Sequence, residues 1–209
     1  MQNAIKKALR PPVRRIREIN QQMKVMKLRG SGAEVESGVH VYGQVVVSRV
    51  KESRILIAER VIFNASVARN TLEARGPNIL KTLIRGAQIE IGADTGMTSA
   101  TISAACDIKV GQRVLIGAGV LITDSDHHAV FLEEVNLRRH AAFPESRPEH
   151  AIRIEDDVFI GARSIVLKGV TIGKGSVIGA GSVVSRSIPE GVVAAGNPCR
   201  PIKSLGFEE

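Results

Sequence analysis

Along the second half of the chain, apolar residues return every six positions. Ile154, Ile160, Val166, Ile172, Ile178 and Val184 keep that spacing without a break. Four residues after each of the first five stands a small or β-branched side chain: Val158, Ser164, Val170, Ser176 and Ser182. Gly161, Gly173 and Gly179 directly follow their aliphatic residues. A period of six matches neither one face of a helix nor a heptad. It predicts short strands joined by turns, with three hexads making one coil of a parallel β-helix. The aliphatic residue then points inward, and a small residue after it lets the chain turn a corner without a side-chain clash.

The same phase recurs upstream at Val110-Gly111, Ile116-Gly117 and Ile122, with Val114 and Val120 between them. Val35, Val41 and Val47 form an opening set, which Ile57 and Phe63 continue. Through residues 68–88 the register is lost, which predicts longer corners or an irregular coil. From Ile122 to Ile154 is 32 residues, not a multiple of six, so the winding is interrupted. The intervening segment is charged, contains two prolines and lacks the hexad pattern. It reads as a loop thrown out from one corner over residues 123–151, and long loops of this kind carry function or are disordered.

The N-terminal 30 residues follow a different period. "PPVRRIREINQQMKVMKL" opens with proline at a first-turn position, as helices do. Val13, Ile16, Ile19, Met23 and Met26 fall at three- and four-residue steps and make one apolar stripe. The expectation is a basic amphipathic helix whose stripe packs over the open end of the solenoid. The alternative is that the helix lies on an anionic membrane surface. The domain organisation is therefore a helical segment at 1–30, an all-β solenoid over 31–198 and a tail at 199–209.

Composition sharpens this picture. Aromatic residues make up 3% of the chain and there is no Trp, which suits a narrow, uniform interior built from near-identical rungs. The net charge of +8 is local, because residues 1–30 hold nine bases and one acid. The other twenty bases and twenty acids balance, so the alkaline character belongs to one segment and not to the whole surface. That segment lacks aromatic residues for stacking on bases, so a nucleic-acid partner is not expected. No run approaches the roughly 18 apolar residues of a membrane span, and the N-terminus lacks the apolar core of a signal peptide. Cys106 and Cys199 lie far apart without metal-type spacing and read as reduced structural thiols, which points to the cytoplasm.

The unbroken hexads, "DSDHH" at the root of the loop, "VFIGARSIVLKGVTIGKGSVIGAGSVV" and "GNPCRPIK" together resemble the hexapeptide-repeat acyltransferases. The likeness covers about residues 88–203 and is nearest to the maltose/galactoside and polysaccharide O-acetyltransferases. It implies a left-handed β-helix, a homotrimer with active sites between neighbouring subunits, and acetyl-CoA as co-substrate without a metal. By the same resemblance, Gly161, Ala162, Gly179 and Ala180 match main-chain positions that line the pantetheine arm. Ser185 matches a polar contact and Arg186 a cation, while Arg200 and Lys203 match residues that meet the nucleotide phosphates. Gly96 to Ser99 resembles a segment near the acceptor pocket of polysaccharide-modifying relatives.

The chemistry of the loop residues agrees with that implication. Acetyl transfer from a thioester to a hydroxyl needs a base for the hydroxyl proton, and histidine is best placed for this near neutral pH. Alignment on an Asp-x-Asp-x-His form selects His128, and alignment by distance from the preceding hexads selects His127. Asp126 is the nearest candidate to orient the ring, with Asp124 behind it. The loop departs from the family pattern in continuing "AVFLEE", and Phe159 stands where Trp is common, which puts the acceptor in question. The expected function is O-acetylation of a sugar or polysaccharide intermediate. Its alternatives are N-acylation of an amino sugar and a non-catalytic assembly platform. A zinc carbonic anhydrase on this scaffold needs three converging histidines, and the two in this loop are adjacent in sequence.

Overall fold

A computed structural model describes residues 10–69, 72, 76–130, 143 and 145–206, with side chains in the first helix described from Arg15. Helix α1 (Arg10–Gly30) is followed by strands that wind in coils of three. The first coil is β1 (Glu34–Val35), β2 (His40–Tyr42) and β3 (Val45–Ser48). The second is β4 (Arg54–Ile57), β5 (Ile62–Asn64) and β6 (Asn78–Thr82), and the third β7 (Gln88–Ile91), β8 (Gly96–Thr98) and β9 (Thr101–Ala104). The fourth holds β10 (Asp107–Val110), β11 (Leu115–Ile116) and β12 (Leu121–Thr123). The fifth holds β13 (Ile152–Ile154), β14 (Phe159–Ile160) and β15 (Ile165–Val166). The sixth holds β16 (Thr171–Ile172), β17 (Val177–Ile178) and β18 (Val183–Val184). An antiparallel pair, β19 (Val192–Gly196) and β20 (Cys199–Ser204), closes the stack.

Every third strand pairs in parallel, giving three sheets that form the faces of a triangular prism. Sheet A runs β1-β4-β7-β10-β13-β16, sheet B runs β2-β5-β8-β11-β14-β17-β19-β20, and sheet C runs β3-β6-β9-β12-β15-β18. The inward residues stack in register, and in sheet B the ladder is Val41, Phe63, Met97, Ile116, Ile160, Ile178 and Ala194. Their side chains are buried, so the hexad positions of the sequence are the core. Truncating one of them, such as Ile160→Ala, would cost about 2–5 kcal/mol.

The strands are joined by longer connections at two corners. Between β5 and β6, at the B–C corner, stand residues 65–77, where the sequence register fails and of which 70, 71 and 73–75 lie outside the described residues. Between β12 and β13, at the C–A corner where the six-residue phase slips, stand residues 124–151, and the expected loop lies outside the described residues at 131–142 and 144. In the other coils these corners are short, and the chain returns in phase.

Helix α1 covers the first coil, but not with its apolar stripe. The Gln21 amide donates to the Val41 carbonyl (3.1 Å) and accepts from the Val41 N–H (2.8 Å), pairing an edge strand as a further strand would. Lys24 also donates to the Val41 carbonyl, and Arg29 to that of Val35. Leu28 is buried beside them and Val25 packs on the core. Ile16, Ile19, Met23 and Met26 are instead 58%, 47%, 51% and 59% exposed. The expected packing of the stripe is thus corrected, while the side chain of Val13 lies outside the described residues. The end of a solenoid presents backbone groups that need partners, and the polar face of the helix supplies them.

The outer faces differ in chemistry. On sheet A, Glu90, Lys109 and Arg153 stand in register, and ion pairs link Arg54 to Glu34 (2.8 Å), Lys109 to Glu90 (3.2 Å) and Arg153 to Asp107 (2.6 Å). On sheet B the outward column is Ile62, Gly96, Leu115, Phe159, Val177 and Val193. On sheet C it is Val46, Ile79, Thr101, Leu121, Ile165 and Val183. Ile62, Leu115, Phe159 and Val46 are exposed.

Candidate active site

The site begins where the winding stops, at the C–A corner of the fourth coil. Asp124, the first residue after β12, is buried and turns its carboxylate onto the two-residue corner of the coil before it. It accepts from the N–H groups of Ala105 (2.5 Å) and Cys106 (2.9 Å). Burial raises the Asp124 carboxyl above its ordinary value, and these backbone donors oppose the rise. At the far end of the loop, Cys106 donates through Sγ to the Arg147 carbonyl (3.2 Å), and Gly169 donates to that of His150 (2.8 Å). Lys168, in the corner of the fifth coil, forms an ion pair with Asp126. The loop root is therefore clamped between the corners of the third and fifth coils.

Within that clamp "DSDHH" makes two tight turns. The His127 N–H donates to Ser125 Oγ (3.0 Å) and the His128 N–H to the Asp126 carbonyl (2.7 Å). His127 sits in the left-handed region at φ 58°, which histidine enters more readily than most residues. Its Nε2 lies 3.3 Å from Thr123 Oγ1, and its ring meets Phe143 edge-on at 6.1 Å between centroids. Both imidazoles are exposed, as is Asp126, whose carboxylate is engaged by Lys168. Asp124, expected behind it, is the structural clamp.

The other candidate residues divide between two corners. Gly161, Ala162, Gly179 and Ala180 lie at the B–C corner, where a Cβ on Gly161 would come within 2.5 Å of the Ala180 nitrogen. Glycine at that position is demanded by the stacking of the coils. Ala195 stacks over Gly179, and Arg200 stands opposite Ala195 in the terminal pair, so an exposed cation tops this corner. Lys203 is exposed on the same strand. Ser185 and Arg186 follow β18 at the C–A corner, on the edge that carries the histidine loop. Gly96 to Thr98 form β8 in sheet B, and Ser99 turns the corner after it, donating to the Gly76 carbonyl (2.9 Å).

Sequence reasoning did not single out Thr123, Phe143 or Lys168. Thr123 had a legible signal, a hydroxyl four residues before the histidine; the other two meet the site only through folding. Among the described residues, no three His, Cys, Asp or Glu side chains group as a metal site would require.

Comparison with known proteins agrees with this architecture. Residues 151–186 match the family described as the hexapeptide repeat of succinyl-transferase. A galactoside O-acetyltransferase of Lactococcus lactis is 44% identical over 93 residues, covering 44% of this chain and 41% of that protein. A 2,3,4,5-tetrahydropyridine-2,6-dicarboxylate N-acetyltransferase of Clostridium perfringens is 56% identical over 52 residues, which is 25% of this chain and 22% of that one. The chain thus spans less than half the length of these curated relatives. Among solved structures, an N-acyltransferase from Bacillus cereus superposes with a TM-score of 0.56 at 18% identity, covering 86% of this chain and 88% of the other. With its coils, repeat and relatives in accord, the chain is similar to the hexapeptide-repeat acyltransferases, its repeat at residues 151–186 wound into a left-handed parallel β-helix.

Proposed function

We propose that this protein is an acetyl-CoA-dependent O-acetyltransferase acting on a hydroxyl of a sugar or polysaccharide intermediate. It works as a homotrimer, with the reaction between neighbouring protomers. The observation that carries the reading is the clamped histidine turn at the break in the winding. A solenoid that merely served as a platform would have no use for a histidine held there through its backbone by Ser125 and through its ring by Thr123 and Phe143.

The fastening of its ring favours His127 as the base. With Nε2–H donating to Thr123, Nδ1 keeps its lone pair for the hydroxyl proton as the oxygen attacks the thioester carbonyl. The carbon–sulfur bond then breaks, and the imidazolium returns the proton to the departing thiolate. No covalent enzyme intermediate is needed. Lys168 and Asp126 hold the loop root and so the ring's position. Ala180, exposed at its corner, and the cations Arg200 and Lys203 near it suit an extended arm ending in phosphates.

The same geometry supports the trimer. The histidines stand at the C–A corner and the arm residues at the B–C corner, on different edges of one prism. A neighbouring copy brings the two kinds of edge together. The exposed apolar side chains on faces B and C offer a neighbouring copy surface to pack against, and a heterologous contact between unlike surfaces closes in a ring when its rotation permits.

The test is release of CoA from acetyl-CoA over a panel of sugars, nucleotide-sugars, oligosaccharides and amino sugars, with mass spectrometry of the product. The amino sugars are included because the coil architecture is shared with an N-acyltransferase. His127→Ala is expected to lower turnover by about 100-fold or more while CoA is still retained. Loss in His128→Ala alone would move the base by one residue, and wild-type rates in both variants would overturn the assignment.

A further inference from the structure

Helix α1 uses only one side to close the solenoid. Gln21, Lys24, Val25 and Leu28 face the first coil, and Ile16, Ile19, Met23 and Met26 lie on the opposite side of the helix, about half or more exposed. At helical spacing Arg15 borders this stripe on one side and Lys27 on the other, both exposed. No helix among the described residues is long and apolar enough to cross a membrane, and α1 alternates its apolar positions with charge. Its composition suits lying in an interface, apolar side chains inward and long basic ones reaching up to headgroups.

We propose that the outward stripe of α1 docks this protein on an anionic lipid surface. Charge selects this occupant. Residues 1–30 carry nine bases and one acid, while the rest of the chain is formally neutral, so the pull toward a negative surface is confined to the end that bears the stripe. The docked side of the helix already caps the solenoid, so the stripe is available without unfolding anything. If three copies pack with parallel prism axes, three such helices sit at one end, and their weak attachments add. The proposal does not depend on acetyl transfer.

Co-sedimentation of the full chain with vesicles of phosphatidylcholine, with and without phosphatidylglycerol, tests it. The chain should pellet with the anionic vesicles and stay in solution with the neutral ones. Ile19→Gln combined with Met23→Gln should weaken pelleting by about tenfold or more, with circular dichroism and assembly mass unchanged. Arg15→Gln combined with Lys27→Gln should weaken it less and flatten its salt dependence. Failure of the wild-type chain to pellet, or equal pelleting of the stripe variant, overturns the proposal. A stripe variant that changes assembly mass would instead assign the stripe to contact between copies of the chain, which also overturns it. Retained CoA release in a variant that no longer pellets would separate this surface from the reaction.

Discussion

Sheet A and sheets B and C are built on one repeat and present opposite chemistry to the outside. On sheet A the outward column is Glu34, Leu56, Glu90, Lys109, Arg153 and Thr171, with ion pairs from Lys109 to Glu90 and from Arg153 to Asp107 crossing its rungs. On sheets B and C the corresponding columns run through Leu115 and Phe159, and through Leu121 and Ile165. The inward half of each hexad is set by the need to stack on a copy of itself. The outward half is free of that demand, so its composition reports what each face meets. A charged face is at ease in water, whereas two apolar columns along one molecule suit contact with a neighbour.

The largest effect should come from charging one apolar column. Leu115→Asp with Phe159→Asp removes about 2 kcal/mol per side chain from each contact and desolvates a charge there as well. Sedimentation should then show single chains in place of the proposed trimer. Glu90→Gln with Lys109→Gln, on the charged face, should leave the mass unchanged, and dissociation in both variants would erase the contrast between faces. A finer cut distinguishes face B on face C from face B on itself. Leu115→Asp alone should loosen the assembly, and Leu121→Lys added to it, in the same coil on the other apolar face, should restore part of the mass. No recovery would argue against the mixed contact.

Next in size is the corner between those two faces. Gly161→Ala drives a Cβ against the backbone of Ala180, and the coil must shift at a cost of about 1–3 kcal/mol. Thermal unfolding should register it. Gly181→Ala, where the space is open but φ is 71°, should cost only backbone strain. Equal costs would mean that stacking does not dictate the glycine.

The smallest effect belongs to the A–B corner, where Arg60, Asp94, Arg113 and Asp157 take left-handed backbone in successive coils with alternating charge. Arg60 holds the Asp94 carboxyl below its ordinary range, and Arg113 does the same for Asp157. Their folded-state values lie below the unfolded ones. Their contribution is therefore complete above the ordinary carboxylate range and disappears as pH falls through the depressed values. Asp124 runs the other way, since burial raises its carboxyl and its share of stability fades as pH rises. Asp94→Asn with Asp157→Asn should flatten the acid limb of a stability–pH curve, slightly, because the groups are exposed. An unchanged limb would show the ladder to be ornamental.

What the sequence by itself determined is the interior. Ile154 to Val184 could be placed inside from spacing alone, because every rung repeats one packing problem and so writes one period into the chain. The slip of two residues before Ile154 marked the loop for the same reason. The helix misled, because amphipathic spacing identifies an apolar side without saying what lies against it. The open edge of β2 needed hydrogen-bond partners more than it needed Ile19 and Met23. Nor does spacing reveal which corner a residue occupies after winding. Only the tertiary structure set Lys168 on Asp126, turned Asp124 onto the preceding coil and put Phe143 beside His127. Those contacts join residues distant in sequence, where periodicity has nothing to report.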